Sequence, residues 1–135
     1  MITRRSALLT LALATLASEA RPLWAASRHP SAIKMFDTDN DGTLDLEEVK
    51  KAASRLFAKL DRDHDGTLDR REVGGRFTAK EFATADPDRD GTLALDEYLS
   101  VVERRFNAAN QDRDGTLDAK ELNSRAGLAL LRLLQ

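Results

Sequence analysis

The stretch DTDNDGTLDLEE, residues 37–48, is the first of four copies of one pattern in a chain of 135 residues. The pattern returns as DRDHDGTLDRRE at 61–72, as DPDRDGTLALDE at 86–97 and as NQDRDGTLDAKE at 110–121. Successive copies begin 24, 25 and 24 residues apart. A repeat of nearly constant period predicts that one structural unit occurs four times.

Each copy fits the pattern D-x-[DN]-x-[DN]-G-x5-E, with asparagine at the first position of the last copy. A hard cation of calcium size takes six to eight oxygen ligands at about 2.3–2.6 Å. Side chains at positions 1, 3, 5, 9 and 12 and the carbonyl of position 7 can supply those oxygens, and glycine at position 6 turns the chain with a positive φ. The pattern therefore resembles the metal loop of an EF-hand. The predicted ligands are Asp37, Asp39, Asp41, Thr43, Asp45 and Glu48; Asp61, Asp63, Asp65, Thr67, Asp69 and Glu72; Asp86, Asp88, Asp90, Thr92 and Glu97; and Asn110, Asp112, Asp114, Thr116, Asp118 and Glu121.

The four loops differ in their number of carboxylates. Loop three has Ala94 at position 9, and loop four has Asn110 at position 1. Loops one and two therefore offer five ligand carboxylates each, and loops three and four offer four each. Because attraction to a cation grows with ligand charge, we expect loops one and two to bind most strongly.

The acidic residues are concentrated in these loops. Of the 23 acidic residues in the chain, all but Glu19, Glu81 and Glu103 lie in the four twelve-residue windows. Like charges this close repel one another, so a bound cation should neutralise them. The chain has no cysteine and only two histidines, which excludes thiolate sites and disfavours an imidazole zinc or copper centre. The scattered basic residues disfavour nucleic-acid binding, and the sequence has no catalytic constellation, so we predict that the chain is not an enzyme.

Residues 1–26 resemble a cleaved export signal. Arg4 and Arg5 precede an uninterrupted run of small and apolar residues from 7 to 17. This run is too short to cross a bilayer, which takes about 20 residues. The arginine pair resembles a twin-arginine signal, and a Sec signal and a buried N-terminal helix stay open as alternatives. We therefore expect a metal-binding domain at 27–135 that is exported to the periplasm.

The spacing between loops predicts the architecture. Only twelve or thirteen residues separate successive loops, which leaves room for one helix at 49–60 and another at 98–109. A helix of twelve residues is about 18 Å long, so it holds the loops at its two ends too far apart to pair. Gly74-Gly75 can break the middle connection and fold loop two against loop three, which leaves loop one for loop four.

We therefore predict an all-α fold, a compact three-helix bundle with four EF-hand loops in two pairs, one with four and two with three. The last helix should begin near Ala119 and break between Ser124 and Gly127. We expect the leucines that follow to lie in the core rather than against a membrane. They are Leu128, Leu130, Leu131, Leu133 and Leu134.

Several features together resemble the lanmodulins, periplasmic lanthanide-binding EF-hand proteins of methylotrophic bacteria. They are the short inter-loop spacing, the D-x-D-x-D-G-T-[LI]-D text, the aspartate at position 9, the Asn-first fourth loop, and the segments 97–99, 106–110 and 121–127. The resemblance covers essentially the whole of residues 27–135. It implies selective binding of lanthanide(III) ions of the La, Ce and Nd class, with Ca²⁺ as a weaker ligand, and folding on binding. The chain departs from that family at position 2, where only Pro87 is a proline.

Two other functions stay open at the level of sequence. A periplasmic calcium buffer or sensor is one, because EF-hand loops are calcium sites by default. An adaptor whose metal-stabilised loops hold a docking face is the other. The partners that we expect are metal ions; we expect no membrane insertion of residues 27–135. Homodimerisation through Arg104-Arg105 and a delivery partner are left open by the sequence.

Overall fold

The structure, a computed structural model, describes residues 30–135. The predicted export signal at 1–26 and residues 27–29 lie outside the described residues. The described part is predominantly helical, as predicted. Its elements are α1 (Pro30–Phe36), β1 (Leu44–Asp45), α2 (Leu46–Leu60), β2 (Thr67–Leu68), α3 (Arg70–Val73), α4 (Ala79–Ala85), β3 (Leu93–Ala94), α5 (Leu95–Ala109), β4 (Thr116–Leu117), α6 (Ala119–Leu122) and α7 (Arg125–Leu131).

The two long helices, α2 and α5, each begin three residues earlier than predicted. The reason is that positions 10 to 12 of loops one and three belong to the first turn of the helix that follows. Their buried residues recur at intervals of three and four, which puts them on one face of each helix. They are Val49, Ala52, Ala53, Leu56 and Phe57 in α2, and Tyr98, Val101, Val102, Phe106 and Ala109 in α5.

Two short antiparallel ladders join the loops in pairs. Strand β1 pairs with β4, and β2 pairs with β3. Loop one therefore lies beside loop four and loop two beside loop three, as the spacing predicts. The leucine at position 8 of each loop faces its counterpart across the ladder, Leu44 opposite Leu117 and Leu68 opposite Leu93. All four are completely buried, so the ladders are also the ends of the core.

The predicted break in the middle connection is confirmed. Helix α3 ends at Val73 and is followed by a 3₁₀ turn over Gly74–Arg76 before α4 begins at Ala79. Gly74 has φ 56° and ψ −139°, a conformation that side-chain-bearing residues rarely adopt. Thr78 then caps α4, because its hydroxyl accepts a hydrogen bond from the backbone N–H of Glu81.

The aromatic centre of the core is Tyr98, which is completely buried. Its ring packs edge-on against Phe57, at 5.6 Å between centroids, and at a tilt against Phe77, at 6.0 Å. Its hydroxyl donates a hydrogen bond of 2.9 Å to the main-chain oxygen of Leu133. Tyr98 therefore links α5 to the segment that follows α7 and satisfies its buried polar atom there.

The C-terminal helix breaks, as predicted, but the break lies at residues 123–124 and Gly127 is already inside the next helix. Helix α6 ends at Leu122, and α7 begins at Arg125 with Ser124 as its N-cap. Four of the five terminal leucines are buried, but Leu128 is 40% exposed, so the prediction that it lies in the core is wrong. It falls on the outer side of α7, between buried positions 127 and 130. Over residues 30–135, no helix combines the length and apolarity that a membrane span requires.

Gly127 marks the closest approach between α7 and the end of α6. A Cβ atom there would lie 2.2 Å from the main-chain oxygen of Glu121 and 2.5 Å from the Cα of Leu122. We expect Gly127→Ala to lower the free energy of unfolding by about 1–3 kcal/mol, because backbone atoms must move. The measurement is urea unfolding of the metal-loaded protein. Gly75→Ala is the matched control, since nothing lies within 4 Å of its added Cβ; equal midpoints for the two variants would contradict the close approach.

Burial raises the pKa of Tyr98 from 10.0 to about 12. A raised folded-state pKa means that the protonated phenol stabilises the fold below pH 10 and that this contribution is lost as the pH rises towards 12. Since Tyr98 is the single tyrosine of the chain, alkaline titration of tyrosinate absorbance reports on it alone. We expect ionisation in urea near pH 10, and ionisation of the folded protein only at higher pH, together with loss of helicity. Ionisation near pH 10 with helicity intact would contradict the buried position.

Candidate metal sites

Each loop turns through two residues in the left-handed region of the backbone. The glycine at position 6 has φ between 86° and 93° in all four loops. Position 4 is also left-handed, with φ between 58° and 60°, although it holds asparagine, histidine or arginine rather than glycine. These turns point successive backbone N–H groups inwards, where the acidic side chains accept hydrogen bonds from them.

The residue at position 1 is drawn into its loop. Asp37 accepts hydrogen bonds from the backbone N–H groups of Asn40 and Gly42. Asp61 and Asp86 accept equivalent bonds from the glycine at position 6, at 3.0 Å and 2.9 Å, and both side chains are buried. Burial acts to raise the pKa of Asp37, but the hydrogen bonds outweigh it and hold that pKa below its usual range. The hydrogen bonds therefore favour the ionised form of Asp37.

The glutamate at position 12 closes the loop from the other side. In loop one, Glu48 accepts hydrogen bonds from the backbone N–H of Thr38 at position 2 and, at 3.2 Å, from that of Asp45. Loops two and four repeat both bonds. In loop three, Glu97 accepts only the second, from Ala94 at 2.8 Å, because Pro87 at position 2 has no N–H.

Positions 1, 3 and 12 converge in the first three loops. One carboxylate oxygen from each of the three residues lies within 4.8 Å of the others. Ligands on opposite sides of a calcium-sized ion are about 5 Å apart, so these groups have the right size for such an ion. The groups are Asp37, Asp39 and Glu48; Asp61, Asp63 and Glu72; and Asp86, Asp88 and Glu97.

The electrostatics of these groups favour a cation. Burial, and then repulsion by Asp65 and Glu72, raise the pKa of Asp63 above its usual range. In loop three, burial and then repulsion by Asp88 and its neighbours raise the pKa of Glu97. A raised pKa means that the negative charge is unfavourable where it stands. A cation between the oxygens would remove that repulsion.

The aspartates at position 5 stand apart from these oxygen groups. Each accepts hydrogen bonds from the backbone N–H and the hydroxyl of the threonine at position 7, at 2.8–3.0 Å. They are Asp41, Asp65, Asp90 and Asp114. Because a carboxylate has two oxygens, the second oxygen of each stays available to a metal. Their part in binding, like that of the threonine carbonyls, stays a prediction.

The aspartate at position 9 has a second role, which sequence reasoning missed. Asp45 is the N-cap of α2, and its Oδ1 accepts a hydrogen bond of 2.7 Å from the backbone N–H of Glu48. Asp69 and Asp118 cap α3 and α6 in the same way. The signal was present in the sequence, because an N-cap residue followed three positions later by glutamate is a capping box. Ala94 provides no such side chain, so α5 begins without a cap.

Loop four lacks the group of three carboxylates because its first residue is an amide. The side chain of Asn110 is nevertheless buried, and its Oδ1 is the one buried side-chain nitrogen or oxygen atom among the described residues without a hydrogen-bond partner. A buried carbonyl oxygen without a partner is unfavourable. Neutral amide oxygens are accepted ligands of hard cations, so a metal in loop four would satisfy this atom.

Comparison with known protein families agrees with this geometry over the first half of the described chain. A model of the EF hand domain matches residues 31–56, and a model of the EF hand matches residues 54–74. Together the two matches contain loops one and two. They support an EF-hand metal-binding protein. No curated protein matches the sequence significantly.

The capping role of position 9 can be separated from a ligand role. We expect Asp45→Ala to lower the free energy of unfolding by about 1 kcal/mol, because α2 loses its cap. Asp45→Ser should recover most of that loss, since serine caps a helix but carries no charge. Ala94→Ser should raise stability by a similar amount through α5. Thermal unfolding at fixed free metal gives the comparison, and serine no better than alanine at position 45 would refute the capping role.

Proposed function

We propose that this chain binds trivalent lanthanide ions in the periplasm and folds as it binds them. The observation that carries the proposal is the convergence of positions 1, 3 and 12 in three successive loops, with oxygens within 4.8 Å of one another. Such oxygen groups suit hard cations. We propose binding rather than catalysis, and the ligand set predicted from the sequence as the binding residues of all four loops.

The charge of the loops supports a trivalent ion over Ca²⁺. At a fixed distance the attraction between ion and carboxylates scales with the charge of the ion. Light lanthanide ions are close to calcium in size, so the same oxygens can hold either. Loops one and two present five carboxylates each at ligand positions. Burial first, and then repulsion by Asp65 and Glu72, raise the pKa of Asp63 in loop two. A trivalent ion relieves more of this repulsion than a divalent ion.

The position of the ligands supports folding on binding. The position-12 residues Glu48 and Glu121 are only 7% and 8% exposed, so without a cation they are buried negative charges beside others. Each loop also contributes a core leucine through its ladder. We propose that α2, α5 and α7 form a three-helix bundle, with α5 in contact with both of the others, and that this bundle is complete only when the loops hold metal. Binding free energy then contributes to folding.

The proposed location and role rest on the sequence. Residues 1–26 resemble an export signal, and residues 27–135 resemble the lanmodulins in loop text and spacing. A lanthanide-binding protein outside the cytoplasm would serve uptake, storage or delivery of the ion.

Calcium binding is the second candidate, and a specific observation favours it. The family models that match residues 31–74 describe EF hands, and EF-hand loops are by default calcium sites. A calcium buffer or sensor would use the same residues at higher free metal. The two functions differ in selectivity and not in the location of the ligands.

The test is a titration of the metal-free chain lacking residues 1–26 with La³⁺ and, separately, with Ca²⁺. We expect helicity, measured by circular dichroism, to rise sharply with La³⁺ at far lower free metal than with Ca²⁺. Equal responses at similar free concentrations would identify a calcium protein. Displacement of bound La³⁺ by micromolar Ca²⁺ would also overturn the lanthanide proposal.

A matched pair of variants tests the ligand assignment in loop one. Glu48 is buried at position 12, whereas Glu47 beside it is exposed and belongs to no oxygen group. We expect Glu48→Gln to weaken La³⁺ binding at one site by about tenfold or more, since it removes one negative charge from the ligands of the ion. Glu47→Gln should leave La³⁺ binding nearly unchanged. Equal losses in isothermal titration calorimetry would show that overall charge, rather than the loop geometry, determines binding.

A further inference from the structure

We propose that a basic cleft beside α7 docks an acidic, leucine-bearing segment of a partner protein. The cleft has a volume of about 660 Å³ and lies between the 3₁₀ turn and α7. We define it by its lining residues, which are Gly75, Arg76, Leu128, Leu131, Arg132 and Gln135. The metal loops contribute no residue to it, so the metal sites do not explain it.

The first argument is the distribution of charge outside the loops. In residues 30–135, eleven basic residues lie outside the four loops, against the two acidic residues Glu81 and Glu103. Each of these acids is already paired at 3.0 Å, Glu103 with Lys50 and Glu81 with Arg105. The residues outside the loops therefore carry a net positive charge, and the negative charge of the molecule is concentrated in the loops. The eleven are Lys34, Lys50, Lys51, Arg55, Lys59, Arg76, Lys80, Arg104, Arg105, Arg125 and Arg132.

The second argument is the shape and chemistry of the cleft. Its floor is apolar through Leu131, and the exposed side chain of Leu128 lies at its lining. Arg76 is held in place because its Nε and Nη2 donate hydrogen bonds of 3.2 Å and 2.7 Å to the main-chain oxygen of Gln135. Arg132 is exposed and takes part in neither salt bridge found among the described residues. An apolar floor with cations beside it suits an apolar side chain flanked by carboxylates.

The basic surface continues into a second groove between α4 and α5, with a volume of about 290 Å³ and with Lys80 and Arg104 in its lining. Arg105 fixes this region: its Nη1 donates a 2.6 Å hydrogen bond to the main-chain oxygen of Ala129, and its guanidinium lies 5.4 Å from the ring centre of Phe77. The bond to Ala129 joins this groove to α7, the helix whose Leu128 and Leu131 line the first cleft together with Arg132. We call the two grooves together the basic face.

Charge complementarity and shape select a protein segment as the occupant. Of the large apolar side chains exposed in residues 30–135, only Leu128 lies on this face. A membrane surface requires several protruding apolar side chains, whereas one leucine beside a concave cleft suits a peptide. A second copy would offer its acidic loops, and bound metal lowers their negative charge and engages their carboxylates. Loading the loops makes the whole chain more positive and so strengthens docking; this step rests on metal binding but not on the identity of the ion.

The experiment uses the protein loaded with whichever of La³⁺ and Ca²⁺ gives full helicity. The probe is a fluorescent amphipathic peptide of leucines and glutamates. The control probe is the same peptide with glutamine in place of glutamate. Anisotropy should show binding of the glutamate peptide and little binding of the glutamine peptide. We expect Arg132→Glu and Leu128→Ser each to weaken binding by about tenfold, and we expect added salt to weaken binding to the unaltered protein.

The matched controls are Arg55→Glu and Met35→Ser, which alter an exposed cation and an exposed apolar residue that line neither groove. They should bind the peptide as the unaltered protein does. Helicity and metal stoichiometry of every variant, measured with the peptide present, separate docking from loss of fold or removal of the ion. Equal weakening by test and control variants, or no binding of the glutamate peptide, would overturn the proposal. If the protein bound vesicles of phosphatidylglycerol more tightly than it bound the glutamate peptide, the occupant would be a membrane and the proposal would be overturned. If the protein formed a dimer that Arg132→Glu abolished, the occupant would be a second copy and the proposal would again be overturned.

Discussion

The single helix between successive loops is the constraint on which the rest of the structure depends. Helices α2 and α5 have 15 residues each, or about 22 Å, and each has a metal loop at both ends. Two loops that share a helix therefore cannot meet. The break at Gly74 is then what allows pairing at all, since it brings loop two back against loop three and leaves loop one for loop four. The two ladders bury the position-8 leucines, and the core follows from them.

The loops and the helices share atoms, which joins metal chemistry to secondary structure. Glu48 is at once a proposed ligand and the third residue of α2, where its Oε2 accepts a hydrogen bond from the backbone N–H of the N-cap Asp45. Asp45 returns a bond to the N–H of Glu48. A cation that fixes the carboxylate of Glu48 therefore also fixes the first turn of the helix. In loop three the link is weaker, because Ala94 cannot cap and Pro87 cannot donate to Glu97.

Local sequence rules account for most of the fold, and the misses have local or tertiary causes. The loop spacing predicted the pairing, and Gly74-Gly75 predicted the break. The early start of α2 was missed because the Asp-x-x-Glu pattern at 45–48 was assigned to metal alone, although the same four residues describe a helix cap. The early start of α5 has no such signal, since position 9 of its loop is Ala94. The exposure of Leu128 could not be predicted from apolarity, since it depends on which side of α7 faces α5.

The contacts of Arg105 show where sequence reasoning ends for the site and its surroundings. Its hydrogen bonds to Ala129 and Glu81 each join residues that lie 24 positions apart in the sequence. No periodic pattern in the sequence predicts these contacts. The same is true of the unpartnered oxygen of Asn110, which the sequence presents only as a weaker first ligand. Because this oxygen is buried and has no hydrogen-bond donor within the described residues, it is unfavourable as it stands and would gain a partner if a cation bound in loop four.

The observed pairing also distributes the predicted ligand carboxylates evenly between the two ladders. Loops one and two each present five carboxylates at ligand positions, and loops three and four each present four. Pairing one with four and two with three gives nine carboxylates at each ladder, whereas pairing neighbours in sequence would give ten and eight. The helix that prevents neighbouring loops from meeting thus also places one loop with five ligand carboxylates and one loop with four at each ladder.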